Sequence, residues 1–137
     1  PEDLEAWEKK TGVRISSGDV VLIRTGRWAR RAAKGPWDTS RVAGLHASTL
    51  PWLKKRDIAV MGSDACLDVL PSAVDGIPQP VHLVFLVAMG TPIFDNFDFE
   101  ALSAAAATRN RYAFLITAAP LTVSGGTGSP LNPIALF

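Results

Sequence analysis

Gly18-Asp19-Val20-Val21-Leu22-Ile23-Arg24-Thr25-Gly26 is the stretch whose reading decides the fold. Its centre, Val20-Val21-Leu22-Ile23, is a β-branched apolar run behind the turn signal Ser17-Gly18-Asp19, the pattern of a buried strand. Arg24-Thr25-Gly26 then leaves the strand end, a common place for functional groups. Working outward, Pro1-Glu2-Asp3 precedes Leu4, Trp7 and Lys10 at helical spacing, with acids in the first turn and lysines in the last. Those charges match a helix dipole, and Gly12 can end the helix. Ile58-Ala59-Val60-Met61 reads as a second buried strand running to Gly62-Ser63-Asp64, and Pro92-Ile93-Phe94 as a short third. Residues 112–117 form a clear strand and residues 132–137 another. Helices fall between them: residues 51–56, for which Ser48 and Thr49 offer caps, and residues 99–109, which Asp98 can cap. Strands alternating with helices give an α/β class, read as one domain over residues 1–137.

Pro80 suits the first position of a helix, which places His82 in its first turn. Val81, Val84, Phe85 and Ala88 make one face while Leu83, Leu86 and Val87 fill the other, so the pattern predicts a helix buried all round. Residues 27–47 read as a long loop with at most a short helix, and loops of that length usually bind something. Trp28, Trp37 and His46 lie in it, either as aromatic cover for a flat substrate or as a contact between subunits.

Composition excludes more than it selects. A chain of 137 residues can build a real core, and its formal charge of +1 offers no field for nucleic acid or an anionic membrane. No apolar run reaches the roughly 20 residues of a membrane span. A single cysteine, Cys66, rules out an internal disulfide and fits a reducing, cytoplasmic setting. With no His or Lys beside it in sequence, Cys66 reads as a bystander, a thiol enzyme being the weakest alternative. Pro1 rather than Met opens the chain, so the biological start is expected upstream.

Two histidines cannot build a histidine-rich metal site, but His82 sits at the mouth of an otherwise non-titratable apolar run. The helix dipole and desolvation would both keep its ring neutral, as a metal ligand or general base requires; a core histidine bonded to a carbonyl is the bland alternative. Asp95 either pairs with His82 or caps the following helix. Asp64 either steadies a turn or orients a catalytic water. Arg24 either holds a substrate carboxylate bidentately or makes a structural ion pair. Gly125-Gly126-Thr127-Gly128-Ser129 lacks a P-loop lysine and reads as a tight turn presenting Ser129.

These pieces carry a resemblance. The stretch 18–26 resembles the G-D-x-V-L-x-R-T-G strand of the cyclase family of metal-dependent hydrolases, which includes kynurenine formamidase and isatin hydrolase. Gly62-Ser63-Asp64 resembles its G-x-D, Pro80-Val81-His82 its P-x-H, and Ile93-Phe94-Asp95-Asn96 its I-x-E-N. The ending from Pro120-Leu121 to Gly128-Ser129-Pro130 resembles its P-L-x(n)-G-x-G-S-P. The resemblance implies a swivelling β/β/α fold, with a mixed sheet or partly open barrel flanked by helices and incomplete at the N-terminus. It implies hydrolysis of a C–N bond in an amide, formamide or cyclic amide with a divalent ion, Zn or Mn. His82 and Asp95 are then the catalytic pair and, if a second ion is bound, metal ligands. Arg24, Trp28 and Ser129 face the substrate. The family's H-x-G-T-H-x-D motif is missing, so the main ligands are expected outside this chain and the segment alone inactive. Asp95 stands where many members have Glu. Both departures leave a rival: a catalytically silent homologue kept as an oligomeric scaffold. A homo-oligomer acting on a small-molecule amide, with no nucleic acid or membrane partner, is the expectation.

Overall fold

The apolar run 20–23 forms β1 (Val20–Ile23), which pairs in parallel with β2 (Val60–Ser63) from Val20 opposite Val60 to Ile23 opposite Ser63. β3 (Ile93–Phe94) joins the other edge of β2, also in parallel, giving a three-stranded sheet in the order β1-β2-β3. This computed structural model describes every residue except Trp37, so the reading of that tryptophan falls outside the described residues. The chain divides into two compact units, Pro1–Ala101 and Leu102–Phe137.

The first unit opens with α1 (Glu2–Thr11), closed by Gly12 in the left-handed conformation at φ 69°. α2 (Arg27–Lys34) occupies the start of the expected long loop: the basic cluster Arg27 to Arg31 is helical. α3 (Leu50–Arg56) follows a single 3₁₀ turn, Ala47–Thr49. Thr49 holds the N-cap position of α3, as read, but makes no side-chain cap bond; the capping side chain is His46, at the start of the 3₁₀ turn. Its Nδ1 accepts the Ser48 amide at 3.1 Å, while the Thr49 hydroxyl donates to the His46 carbonyl. An imidazole nitrogen can accept as a carboxylate does, a role sequence cap rules overlook.

β2 lies two residues later than its sequence pattern, because Val60–Ser63 pairs with β1, and Met61 and Gly62 also with β3, while Ile58 turns into the core. Its centre must be small. A Cβ on Gly62 would stand 2.6 Å from the Leu22 side chain and 3.2 Å from Phe94 Cβ. Around the sheet, Val21, Leu45, Leu50, Leu53, Ile58, Met61, Leu67, Val81 and Phe85 form the core.

After β2 the chain runs through residues 64–79 to a single helical turn, α4 (Pro80–His82), which continues as a π-helix, Leu83–Met89. This segment is not buried all round. Val81 and Phe85 are fully buried, but Leu83, Leu86 and Val87 are 49%, 50% and 75% exposed. An apolar pattern on both faces cannot distinguish a core helix from one that leaves an apolar face uncovered, and here it is the second. α5 (Glu100–Arg109) is capped as read: Asp98 Oδ1 accepts the Glu100 amide at 2.9 Å.

In the second unit β4 (Leu115–Thr117) and β5 (Ile134–Leu136) pair antiparallel, each shorter than its apolar run. Between them the Gly-rich segment turns with Gly125 at φ 71° and the Gly126 amide on the Val123 carbonyl. Parallel and antiparallel strands with flanking helices make this the mixed α/β class the sequence implied. No helix among the described residues is long and apolar enough to cross a membrane.

The burial pattern makes a stability prediction. Leu53→Ala should cost about 2–5 kcal/mol in urea unfolding, since the side chain is wholly enclosed. Leu86→Ala, on the open face, should change it by less than about 0.5 kcal/mol. Equal effects would contradict this packing.

Candidate functional site

Several buried or half-buried carboxylates lie beyond the carboxyl ends of β2 and β3, the side of a parallel sheet where ligands usually bind. Two aspartates follow β2, and they do different things. Asp64, fully buried, accepts four hydrogen bonds: the Thr25 amide and hydroxyl on Oδ1 at 2.7 and 2.8 Å, and the Gly26 and Arg27 amides on Oδ2 at 2.9 and 3.1 Å. It thereby holds the Arg24-Thr25-Gly26 turn against the start of α2. That is the turn-steadying role, with both oxygens occupied.

Asp68, also fully buried, faces the other way. Its Oδ1 accepts the Val81 amide at 2.7 Å; its Oδ2 accepts the His82 amide at 3.1 Å and meets His82 Nδ1 at 2.5 Å. One carboxylate thus caps the first turn of α4 and orients the ring that the turn carries. Its position depends on Gly44. The chain at Val42–Leu45 runs alongside Asp68–Leu70, with Leu45 accepting from Val69 and Val42 exchanging bonds with Leu70. A Cβ on Gly44 would fall 2.3 Å from the Asp68 carbonyl carbon. No larger residue fits without displacing Asp68.

Asp95, just beyond β3, closes the other side of the ring. Its Oδ2 lies 2.8 Å from His82 Nε2, and its Oδ1 accepts the Leu67 amide at 3.0 Å. The structure therefore brings His82 and Asp95 together, and it is Asp98, not Asp95, that caps the helix beyond. The result corrects the expectation of a neutral imidazole. The hydrogen bond to Asp95 lifts the His82 pKa most; desolvation opposes it, as expected, but the bond to Asp68 and both carboxylate charges add to the rise, to about 9. Two carboxylates outweigh a short helical turn and partial burial. Both bonds favour the protonated form of the ring.

Cys66, two residues before Asp68, lies beside this pair. Its sulfur, a His82 ring nitrogen and an Asp95 oxygen all lie within 4.8 Å of one another. Burial pushes its thiol pKa up, against the Asp68 backbone hydrogen bond, and the nearby Asp95 charge adds to the rise. Gln79 Nε2 donates to the sulfur at 3.7 Å. Sulfur, imidazole and carboxylate are a donor set that suits a divalent ion, and a tetrahedral ion spaces its ligand atoms roughly 3.3–3.8 Å apart. With Asp68 keeping the Nδ1 proton, Nε2 is the nitrogen left to bind. These residues fit a divalent ion after small side-chain adjustments.

The other expected site residues have partners of their own. Arg24 makes a bidentate pair with Glu100, Nε to Oε1 at 3.0 Å and Nη2 to Oε2 at 2.7 Å, so a substrate carboxylate would have to displace Glu100. Trp28 donates from Nε1 to the Phe97 carbonyl at 2.7 Å, which pins the indole. Arg27, next to it, reaches the Asn96 side-chain oxygen. Ser129 belongs to the second unit, where its hydroxyl accepts the Leu121 amide at 3.0 Å. His46 is the cap described above. Sequence reasoning missed Asp68 and dismissed Cys66. The signal for Asp68 was there: a lone carboxylate inside Ala65-Cys66-Leu67-Asp68-Val69-Leu70 cannot be buried without donors.

The clamp predicts a pH dependence. A pKa raised from 6.5 to about 9 on folding stabilises the metal-free fold fully below 6.5, and that contribution is lost as the pH rises through about 9. Urea midpoints measured in chelator across this interval should fall for the native sequence and fall less steeply for His82→Gln. A native profile as shallow as that of the variant would overturn the assignment.

Comparison with known proteins supports what the motifs implied. Residues 1–67 match the family model described as "Putative cyclase". No curated protein matches the chain. Among solved structures, a novel cyclase superposes with a TM-score of 0.81 at 32% identity, covering 99% of this chain and 46% of that one. An isatin hydrolase bound to the product analogue thioisatinate superposes at 0.68 and 24% identity, over 98% of this chain and 50% of that one. The chain thus spans about half the length of both solved structures. The sequence match over residues 1–67 and the likeness to a solved cyclase along nearly the entire chain make this a cyclase-family chain.

Proposed function

We propose that this chain serves a metal-dependent hydrolase that cleaves a C–N bond in an amide, formamide or cyclic amide. The observation that carries the reading is the His82 imidazole clamped between Asp68 and Asp95 at the carboxyl ends of β2 and β3. A hydrolase among the structural neighbours adds support. A divalent ion, Zn²⁺ or Mn²⁺, would supply Lewis acidity to the scissile carbonyl and to the attacking water.

The chain's own residues have separable tasks. Asp68 holds the proton on His82 Nδ1 and so presents Nε2 as the ligand atom. Asp95, tied by one oxygen to the Leu67 amide, offers the other beside Nε2. Asp is one carbon shorter than the Glu common in the family, and the bond to Leu67 fixes where its free oxygen lies. Arg24, just after β1, and Trp28, in the first turn of α2, are the substrate-facing candidates of the first unit; Ser129 is a separate candidate in the second. The uncovered Leu83, Leu86 and Val87 face supports a homo-oligomer.

The activity proposed is that of the whole protein, and the assay uses the complete gene product. Hydrolysis of a formanilide or a cyclic amide should require a divalent ion, stop in chelator and return with Zn²⁺ or Mn²⁺. His82→Ala should lower metal affinity or turnover at least ~10-fold. Turnover that persists in chelator, or a His82→Ala protein unchanged in both measures, would sink the reading in favour of a silent scaffold.

A further inference from the structure

Cys66 has no task in the hydrolase reading, and its surroundings are not those of a bystander thiol. A structural cysteine normally packs among hydrocarbon; this one faces an imidazole and a carboxylate within ligand reach. The backbone that carries it is held on both sides. Leu67, the next residue, donates to Asp95 Oδ1 at 3.0 Å, and its carbonyl accepts the Leu45 amide at 2.7 Å. Asp68, one residue further, anchors α4. Cys66 is therefore fixed relative to both His82 and Asp95 by short stretches of chain, not by a flexible loop. The Gln79 amide pointing at its sulfur is a donor, which suits a sulfur that carries negative charge.

We infer that Cys66 Sγ is a third protein ligand beside His82 Nε2 and Asp95 Oδ2, so that this chain by itself holds a Cys/His/Asp site that prefers Zn²⁺ or another thiolate-binding ion over Mn²⁺. The inference rests on the metal reading above and refines it. Ligation would require the Cys66 thiol and His82 Nε2 each to give up any proton they carry to solvent, while the Asp68 bond to Nδ1 stays in place. Thiolate sulfur selects for zinc-like ions, whereas Mn²⁺ favours oxygen-rich sites. The departure from the family's upstream motif then need not leave this segment metal-free.

Cobalt(II) titration of the full 137-residue chain tests this, because a cobalt–thiolate bond gives a near-ultraviolet charge-transfer band that nitrogen and oxygen ligands do not. The expected result is one cobalt per chain with that band, displaced by Zn²⁺ and not by equimolar Mn²⁺. Cys66→Ser, folded by circular dichroism, should lose the band and bind at least ~10-fold more weakly. His82→Ala should weaken binding similarly. Cobalt that binds in a His82-dependent way without the band, or a Cys66→Ser protein that keeps native affinity, overturns the role of Cys66 and leaves the hydrolase reading standing. Failure to bind cobalt or zinc at all overturns the claim that this chain holds the ion by itself. The hydrolase reading fails separately, on metal-independent turnover by the complete gene product.

Discussion

The carboxylate of Asp68 is the constraint on which the site depends. It is wholly enclosed, so as an anion it needs compensation on every side. Two backbone amides at the start of α4 and one imidazole nitrogen supply it. The arrangement is reciprocal. The same bonds that make the burial of Asp68 tolerable begin the helix, place the His82 ring and decide which of its nitrogens faces outward.

The rest of the first unit serves that contact from a distance. Gly62 keeps the three strands close enough for β2 and β3 to end at the same level, so that the residues following them, Asp68 and Asp95, can flank one ring. Gly44 lets the segment before α3 lie directly on the Asp68 backbone. Asp64 performs a parallel service for the turn after β1, with four donors in place of an imidazole. Two aspartates four residues apart thus organise two different helix starts. Asp68 bonds an imidazole, whereas the four bonds to Asp64 come from backbone amides and a hydroxyl.

The clamp holds the candidate ligand residues close to one another through protein bonds alone. An imidazolium between two carboxylates satisfies both ring nitrogens and holds the ligand residues near one another. A cation held as proposed would take Nε2 and the neighbouring thiol and leave the Asp68 bond, which builds the helix start, in place.

The one-dimensional pattern was sufficient for elements whose physics is local. The β-branched run 20–23, the acid-to-base order of α1 before Gly12 and the Asp98 cap each contain their own cause, and all three stand in the structure. The serial motifs were enough to identify the family and to bring His82 and Asp95 to notice. Local patterning failed where partners come from far along the chain. The Leu83, Leu86 and Val87 face looked buried because side-chain identity says nothing of what lies opposite it. The His82 charge was misjudged because helix position and apolar neighbours are visible in sequence, whereas a carboxylate 14 residues away, folded back to 2.5 Å, is not. Cys66 had no basic or imidazole neighbour in sequence and acquires one only when the segment after β2 folds against the start of α4. Sequence determined which backbone pieces form and which family they compose; only the tertiary fold decided which charges face one another, because Coulomb and hydrogen-bond energies depend on separation in space.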